Sequence, residues 1–254
     1  MFKNYNHYVG YNSDDLVFGY TKRTNGLSDY PKNAFNMALY IGDDPDNVHN
    51  HQQLLSEEIG FERSDFVIPI QTHENKVYEV KKADAGTNVD ALTDNIYGID
   101  ALYTYERNIV LGMNYADCPP IYVYSVANSF LGLAHAGWKG TRGNVLKNLL
   151  DQYDGDIDDL RVVIGVAING DYYEVDDAVV NDSFLVAKEA VTPLGNDKFL
   201  LDLKTANKHQ ALDYGIKESN IHVTPIGTES EEFFSYRLDD QPTGRALGFI
   251  GRRL

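Results

Sequence analysis

The sequence has very little cysteine and an acidic balance of charge. Its 254 residues include one cysteine, Cys118, which excludes an intramolecular disulfide and is typical of a reducing compartment. Lysine and arginine number 22 against 38 acidic residues, so the net charge is −16. No basic cluster is longer than a pair such as Arg252 and Arg253, which leaves no basic patch for phosphate backbones or anionic lipid headgroups. We therefore expect no nucleic acid and no membrane among its partners.

Long hydrophobic runs and low-complexity stretches are also missing. No segment approaches the roughly 18 apolar residues of a membrane span, and the first residues lack the apolar core of a signal peptide, so we predict a cytoplasmic protein. No linker rich in proline, glycine or serine and no internal repeat divides the chain. A chain of this length can bury a core without disulfides. We expect a single domain over residues 1–254, as a monomer or a homodimer.

Short apolar runs that are typical of strands alternate with segments of helical periodicity. The predicted strands are 16–20, 66–70, 109–113, 121–124, 130–134, 162–166 and 246–250. The predicted helices are 46–59, 141–153 and 203–214, the last with Asp202 as a possible cap. Runs 121–124 and 130–134 predict an antiparallel hairpin, which argues against a purely parallel sheet. The pattern indicates an α+β fold of mixed β-sheets flanked by helices.

Three short segments hold most of the residues that can ligate a metal. They are 71–73 (QTH), 116–120 (ADCPP) and 135–140 (HAGWKG), and each lies next to a predicted strand. The thiolate of Cys118 and the imidazoles of His73 and His135 would form a three-ligand set for zinc, with a fourth position for water or substrate. Because 45 residues separate His73 from Cys118 and 17 separate Cys118 from His135, no local zinc-finger pattern is matched. Only the tertiary fold could assemble this site.

Each of these residues also has an ordinary explanation, and one has a chemical alternative. A lone cysteine at a strand end is usually a small buried hydrophobe, and a lone histidine is usually a hydrogen-bonded residue. A Cys–His nucleophile would instead indicate a hydrolase or a peptidoglycan-precursor editing enzyme. The second histidine would then have no clear task, and Pro119 and Pro120 supply no N–H groups to lower the pKa of the thiol. We favour a metal site; a metal-binding protein without turnover is a third possibility.

The same segments, in the same order, resemble the laccase-domain family, the bacterial polyphenol oxidase proteins regarded as purine nucleoside phosphorylases. The most specific elements are Ala-Asp-Cys-Pro at 116–119 and His-Ala-Gly-Trp-x-Gly at 135–140. The resemblance covers almost the whole chain, through segments 26–28, 36–38, 42–44, 100–104, 233–237 and 243–245.

The resemblance implies a single-domain fold of mixed sheets and helices, with His73, Cys118 and His135 as metal ligands. It implies phosphorolysis of adenosine, inosine and methylthioadenosine to free base and ribose 1-phosphate, together with adenosine deamination. The expected cofactor is zinc, with copper possible because of the family's older label as copper-dependent phenol oxidases. Multicopper laccase chemistry needs more ligands than one cysteine and seven histidines supply. The expected partners are purine nucleosides and phosphate.

Further residues receive candidate roles within this interpretation. Gln71, two residues before His73, could orient a water or a purine edge, and Asp117 is a candidate acid–base group. The indole of Trp138 could stack on a purine. The candidates for binding substrate or phosphate are Asn36, Trp138, Lys139, Arg142, Arg237 and Arg245.

The chain departs from the family pattern at three places. Segment 165–175 has no cysteine where the family usually carries a Cys-rich stretch, and Asn50-His51 stands where an Asn-Arg pair is common. Lys139 follows the tryptophan where arginine is usual. A lysine can still meet phosphate as a point charge, but it lacks the bidentate fork of arginine.

Overall fold

The computed structural model describes residues 2–180, 187–239 and 242–254. In those ranges the helices are α1 Pro45–Ile59, α2 Trp138–Arg142, α3 Val145–Leu150 and α4 Leu203–Tyr214. The strands are β1 Lys3–Asn4, β2 Tyr8–Asn12, β3 Leu16–Thr21, β4 Ser28–Asp29, β5 Lys32–Ala34, β6 Phe66–Val67, β7 Val77–Glu79, β8 Ala101–Thr104, β9 Val110–Tyr115, β10 Pro120–Ser125, β11 Leu131–His135, β12 Leu160–Ile164, β13 Glu174–Asp176, β14 Val191–Gly195, β15 Lys198–Leu201, β16 Ile221–Val223 and β17 Ala246–Arg252. None of these helices combines the length and the apolar character needed to cross a membrane.

Two six-stranded mixed sheets form the body of the protein. The first has the order β1-β2-β3-β17-β9-β6, and the second has the order β16-β12-β10-β11-β8-β7. Neighbouring strands are antiparallel except for the pairs β6–β9, β12–β16 and β7–β8, which are parallel. β13, β15 and β14 make a small third sheet, and β4 and β5 pair as a short ribbon. The predicted α+β class and the hairpin, now β10 and β11, are confirmed.

The two large sheets share one hydrophobic core. Its buried side chains come from β3 and β9 on one side and from β8, β10 and β11 on the other. The rings of Phe18 and Tyr122 meet across the sheets with centroids 5.2 Å apart, and the Tyr122 hydroxyl donates to the carbonyl of Gly19 at 2.7 Å. Side chains of both sheets therefore pack into one core, and the single domain over residues 1–254 stays a prediction.

Helices α1 and α4 agree with the sequence because their ends carry strong local signals. The side chain of Asp44 accepts from the N–H of Asp46 ahead of α1, Pro45 occupies the first turn, and Gly60 ends the helix at φ 72°. Asp202 caps α4 by accepting from the N–H of Thr205 at 3.1 Å. Both helices therefore begin and end within a residue of the prediction.

Two predicted elements were wrong in extent. The helix expected over 141–153 is two short helices, α2 and α3, because Asn144 adopts the left-handed conformation at φ 58° and breaks the ladder between them. The strand expected over 66–70 is regular only at β6, and Ile70 returns as an isolated bridge to Tyr97. Pro69 lies between them and cannot donate to a ladder.

Candidate metal centre

Three loop and strand ends bring His73, Cys118 and His135 together. His73 follows the Ile70 bridge, Cys118 lies in the turn between β9 and β10, and His135 ends β11. One ligand atom from each residue, two imidazole nitrogens and the thiol sulfur, lies within 4.8 Å of the others. Tetrahedral zinc with ordinary Zn–N and Zn–S bonds places such atoms about 3.3–3.6 Å apart. The donor set and its spacing fit a metal ion after small side-chain adjustments.

The turn that carries Cys118 is shaped by its neighbours. Pro120 pairs with His135 in the β10–β11 register, and the N–H of Ala136 donates to the carbonyl of Pro119 at 3.0 Å. A Cβ atom on Gly137 would lie 2.7 Å from the Cys118 sulfur, closer than real contacts allow. Glycine at this position therefore leaves the space that the thiolate occupies.

Asp100, at the start of β8, organises two of the three ligands. It is fully buried, and one oxygen lies 2.8 Å from Nδ1 of His135. Its carboxylate also accepts the backbone N–H groups of Thr72 and His73 at 3.1 Å and of Glu74 at 2.8 Å. These bonds hold His73 in its left-handed conformation at φ 61°. They also fix the His135 ring and leave Nε2 as its ligand atom, an arrangement typical of metal-binding histidines.

The charges of the site favour a thiolate. Burial raises the pKa of Cys118, but the imidazoles of His135 and His73 outweigh burial and lower it to about 6. Burial lowers the pKa of His135, but the Cys118 thiolate and Asp100 outweigh burial and raise it to about 10. The metal-free site is thus a thiolate facing an imidazolium. A metal ion binds the same atoms and has to displace that proton.

The three ligands lie in the wall of a cavity of about 670 Å³. Of the other predicted residues, Gln71, Asp117, Trp138, Lys139, Arg237 and Arg245 also line it. Asn36 and Arg142 do not appear in its wall. A cavity of this volume is large enough for a small organic ligand.

Several of these predicted residues are already engaged with the protein. The Gln71 amide accepts from the backbone N–H of Asn114 at 2.8 Å and donates to its carbonyl at 3.0 Å. The Asp117 carboxylate accepts from the Thr228 hydroxyl at 2.6 Å and from the N–H of Arg237 at 2.7 Å. Both side chains therefore join separate chain segments at the cavity, and their proposed chemical roles stay predictions.

Asn36 acts one layer behind the cavity. It is fully buried, and its side-chain oxygen accepts from the backbone N–H of Ala38 at 3.1 Å and of Arg245 at 3.0 Å. Its amide nitrogen donates to Asp43 at 2.8 Å. Asn36 therefore positions the backbone that carries Arg245 and does not itself line the cavity.

The predicted cations separate into two groups. Lys139, Arg237 and Arg245 line the cavity, and none of the three forms an ion pair within the described ranges. Arg142 lies outside the cavity wall, and its guanidinium is over the Trp138 ring at 4.9 Å from the centroid, as the Lys139 ammonium is at 5.4 Å. α2 begins at Trp138, so Lys139 lies within a helix, whereas the predicted helix began at residue 141.

His51, which stands where the family commonly has arginine, is buried in the scaffold. Its Nε2 accepts from the N–H of Leu27 at 2.8 Å, and its Nδ1 lies 2.7 Å from the carbonyl of Asn36, to which it donates. Burial lowers its pKa, so the ring is neutral at pH 7. It joins two of the segments that resemble the family and lies outside the cavity wall.

Sequence reasoning missed the role of Asp100 and of two cavity tyrosines. Asp100 opens a segment that resembles the family, but a contact across 35 residues to His135 is invisible in a single sequence. Tyr173 and Tyr236 lie beneath the guanidinium groups of Arg237 and Arg245, at 4.8 and 5.6 Å from the ring centroids. The Tyr236 side chain is 62% exposed. Sequence composition does not reveal that exposure.

Comparison with protein families gives one match over nearly the whole chain. The family model described as multi-copper polyphenol oxidoreductase laccase matches residues 17–253. Within the described residues, His73, Cys118 and His135 are the one cluster of its kind that could hold a metal ion.

Curated relatives and solved structures agree with that match. A Staphylococcus aureus (strain COL) protein named purine nucleoside phosphorylase is 47% identical over 243 residues, covering 94% of this chain and 92% of the relative. A Staphylococcus saprophyticus protein of the same name is 46% identical, covering 97% of each chain. The crystal structure of YlmD from Geobacillus stearothermophilus superposes with a TM-score of 0.92 at 34% identity, covering 99% of this chain and 98% of that one.

Proposed function

We propose that this chain, which belongs to the multi-copper polyphenol oxidoreductase laccase family, phosphorolyses purine nucleosides to the free base and ribose 1-phosphate. The observation that carries the proposal is one cavity that combines a His-Cys-His metal site with Lys139, Arg237 and Arg245. Relatives at 46–47% identity bear the name purine nucleoside phosphorylase, which supports the same reaction. The expected nucleosides are adenosine, inosine and methylthioadenosine.

The cavity cations are suited to phosphate because their charge is not neutralised. Arg237 donates to the carbonyl of Glu174, and Arg245 donates to the carbonyls of Thr243 and Gly244 at 2.9 Å. Carbonyl partners hold each guanidinium in place but leave its positive charge and its remaining N–H groups available for an anion. In a chain of net charge −16, such a site is needed to attract phosphate at all.

His73, Cys118 and His135 would hold the metal, for which we propose zinc, with copper as the alternative. Bound there, a metal ion supplies Lewis-acid polarisation and lowers the pKa of a water molecule. Asp100 keeps Nδ1 of His135 protonated and directed away from the ligand position. During phosphorolysis the three cations neutralise the phosphate, and the cavity excludes bulk water from the breaking glycosidic bond.

Adenosine deamination is a second candidate activity, because water activation at the same three ligands would serve it. Asp117 is the carboxylate in the cavity wall, and each of its oxygens already accepts a hydrogen bond. We therefore assign phosphorolysis as the main reaction. Trp138 is proposed to stack on the purine, since its indole lines the cavity beneath the charged groups of Lys139 and Arg142.

The test is incubation of purified protein with a nucleoside panel, with and without phosphate, followed by identification of products. We expect ribose 1-phosphate and free base only when phosphate is present, and inosine from adenosine in either case. Lys139→Gln should raise the phosphate concentration needed for half-maximal phosphorolysis. Arg142→Gln, three residues along the same helix but outside the cavity wall, is the matched control and should change it little. Equal effects of the two substitutions would contradict a phosphate role for Lys139.

Metal analysis separates this function from a Cys–His hydrolase. His73→Ala, Cys118→Ala and His135→Ala should each abolish stoichiometric metal in protein purified without an affinity tag. The variants should remain folded, because the core between two six-stranded sheets does not depend on the metal. A hydrolase would need Cys118 and one histidine for activity but no bound metal. Full metal occupancy in any one variant would remove that residue from the ligand set.

A further inference from the structure

Two buried amide side chains in the cavity wall have atoms without hydrogen-bond partners. Gln52, on α1, is 2% exposed, and Asn114, in β9, is 8% exposed, and both line the same cavity as the metal ligands. The Nε2 atom of Gln52 and the Oδ1 atom of Asn114 have no hydrogen-bond partner among residues 2–180, 187–239 and 242–254. Leaving a buried polar atom unpaired costs about 1–3 kcal/mol, so proteins retain few of them without a reason.

The neighbours of Gln52 determine which end of its amide is free. Its Oε1 atom accepts from a guanidinium nitrogen of Arg63 at 3.4 Å. Arginine has no acceptor, so the amide atom that faces Arg63 must be the oxygen. Arg63 itself is held by an ion pair to Asp90 at 2.6 Å. The free end of Gln52 is therefore an NH₂ donor with a fixed identity.

Asn88 shows that an amide in this wall need not be left unpaired. It is 3% exposed and also lines the cavity. Its nitrogen donates to the carbonyl of Ile68 at 2.8 Å, and its oxygen accepts from the N–H of Thr93 at 2.7 Å. Asn88 is thus a structural amide. Gln52 and Asn114 differ from it in that each keeps one buried amide atom without a partner among the described residues.

We propose that Gln52 and Asn114 recognise the edge of the purine base, an inference that rests on the proposed function. Adenine presents an acceptor, N7, beside a donor, its 6-amino group, and paired amide groups complement that edge. The Gln52 Nε2 donates to N7, and the Asn114 Oδ1 accepts from the amine. Apolar side chains of the same wall, including Met37, Ile68 and Leu92, would cover the face of the ring that does not stack on Trp138.

The test is equilibrium binding of three nucleosides by calorimetry, without phosphate and with the metal removed by a chelator so that adenosine is not deaminated during the measurement. The probes are adenosine, 7-deazaadenosine, which lacks N7, and purine riboside, which lacks the amine. We expect wild type to prefer adenosine over each analogue by about tenfold, the value of one well-placed hydrogen bond. Gln52→Glu removes the donor but keeps an acceptor for Arg63, so it should abolish the preference for N7 alone. Asn114→Leu should abolish the preference for the amine alone.

Two further variants guard against indirect effects. Gln53→Glu makes the same change at the next, exposed residue of α1 and should bind all three nucleosides like wild type. Asn114→Asp keeps the acceptor and should retain the preference for the amine, which covers the case in which Asn114→Leu does not fold. If the Gln52 and Asn114 variants weaken all three nucleosides equally, the inference is overturned while the proposed function stands. If wild type binds no nucleoside and forms no ribose 1-phosphate, both fall together.

Discussion

Asp100→Asn is the substitution that tests the metal centre most directly. The two oxygens of Asp100 each accept two hydrogen bonds: one from the N–H groups of Thr72 and Glu74, the other from the N–H of His73 and Nδ1 of His135. An asparagine keeps one acceptor oxygen and turns the other position into an NH₂ donor. Whichever way the amide points, two of the four bonds are lost.

The two orientations of the amide have different consequences. With its NH₂ towards Thr72 and Glu74, two backbone donors are left facing a donor, and the turn that positions His73 loses its support. With its NH₂ towards His135, the ring has to accept at Nδ1, which moves its proton to Nε2 and blocks the ligand atom. Bonds to a charged acceptor are worth about 1.5–3 kcal/mol each, so two lost bonds predict a destabilisation of about 3–6 kcal/mol. We expect metal affinity to fall about 10–100-fold as well.

The measurements are urea unfolding of the metal-free protein and competition for zinc with a chelator. Asp94→Asn, an exposed carboxylate without a hydrogen bond to the metal loop, is the matched control and should leave both quantities unchanged. The reasoning would be refuted if the free energy of unfolding of Asp100→Asn lay within about 1 kcal/mol of the wild-type value and the variant bound zinc with wild-type affinity.

Two further predictions concern packing and pH. Gly137→Ala places a Cβ atom 2.7 Å from the Cys118 sulfur. We therefore expect the free energy of unfolding to fall by about 1–3 kcal/mol and the loss of zinc-binding free energy to be larger. Unchanged zinc affinity would contradict the packing argument. Three fully buried tyrosines have a pKa raised well above the usual value by burial, so their contribution to stability is complete below the unfolded-state pKa near 10 and is lost as pH rises above it. The three tyrosines are Tyr20, Tyr115 and Tyr122. Tyrosinate absorbance should show that they ionise only as the chain unfolds. Ionisation of these side chains in the folded protein would contradict the prediction.

The sequence predicted that His73, Cys118 and His135 cluster because each lies beside an apolar run with a clear strand pattern. Strand ends meet at sheet edges, so the neighbourhood of His73, Cys118 and His135 followed from the local pattern and the residue chemistry. The break between α2 and α3 also had a local signal, the Gly143-Asn144 pair, which the apolar periodicity of 145–153 outweighed in the prediction.

Other features depended on contacts between distant segments. The bonds that join Gln71 to Asn114 span 43 residues, and the backbone of Arg237 reaches Asp117 across 120. No periodicity or motif specifies such pairs, because both partners have ordinary alternatives at the surface. For the same reason, the sequence could not separate Lys139 from Arg142: both charged groups lie over the Trp138 ring, but only Lys139 lines the cavity.

The position of β17 has a consequence for how the protein is made. This strand lies between β3 and β9 in the middle of the first sheet, although it comes from residues 246–252. Its Arg252 also donates to the carbonyl of Ser125 at 3.0 Å and so joins the second sheet. Until these residues leave the ribosome, β3 and β9 each keep one unpaired edge. The first sheet therefore cannot be completed before β17 is synthesised, and chaperones that shield strand edges should bind the nascent chain during that interval.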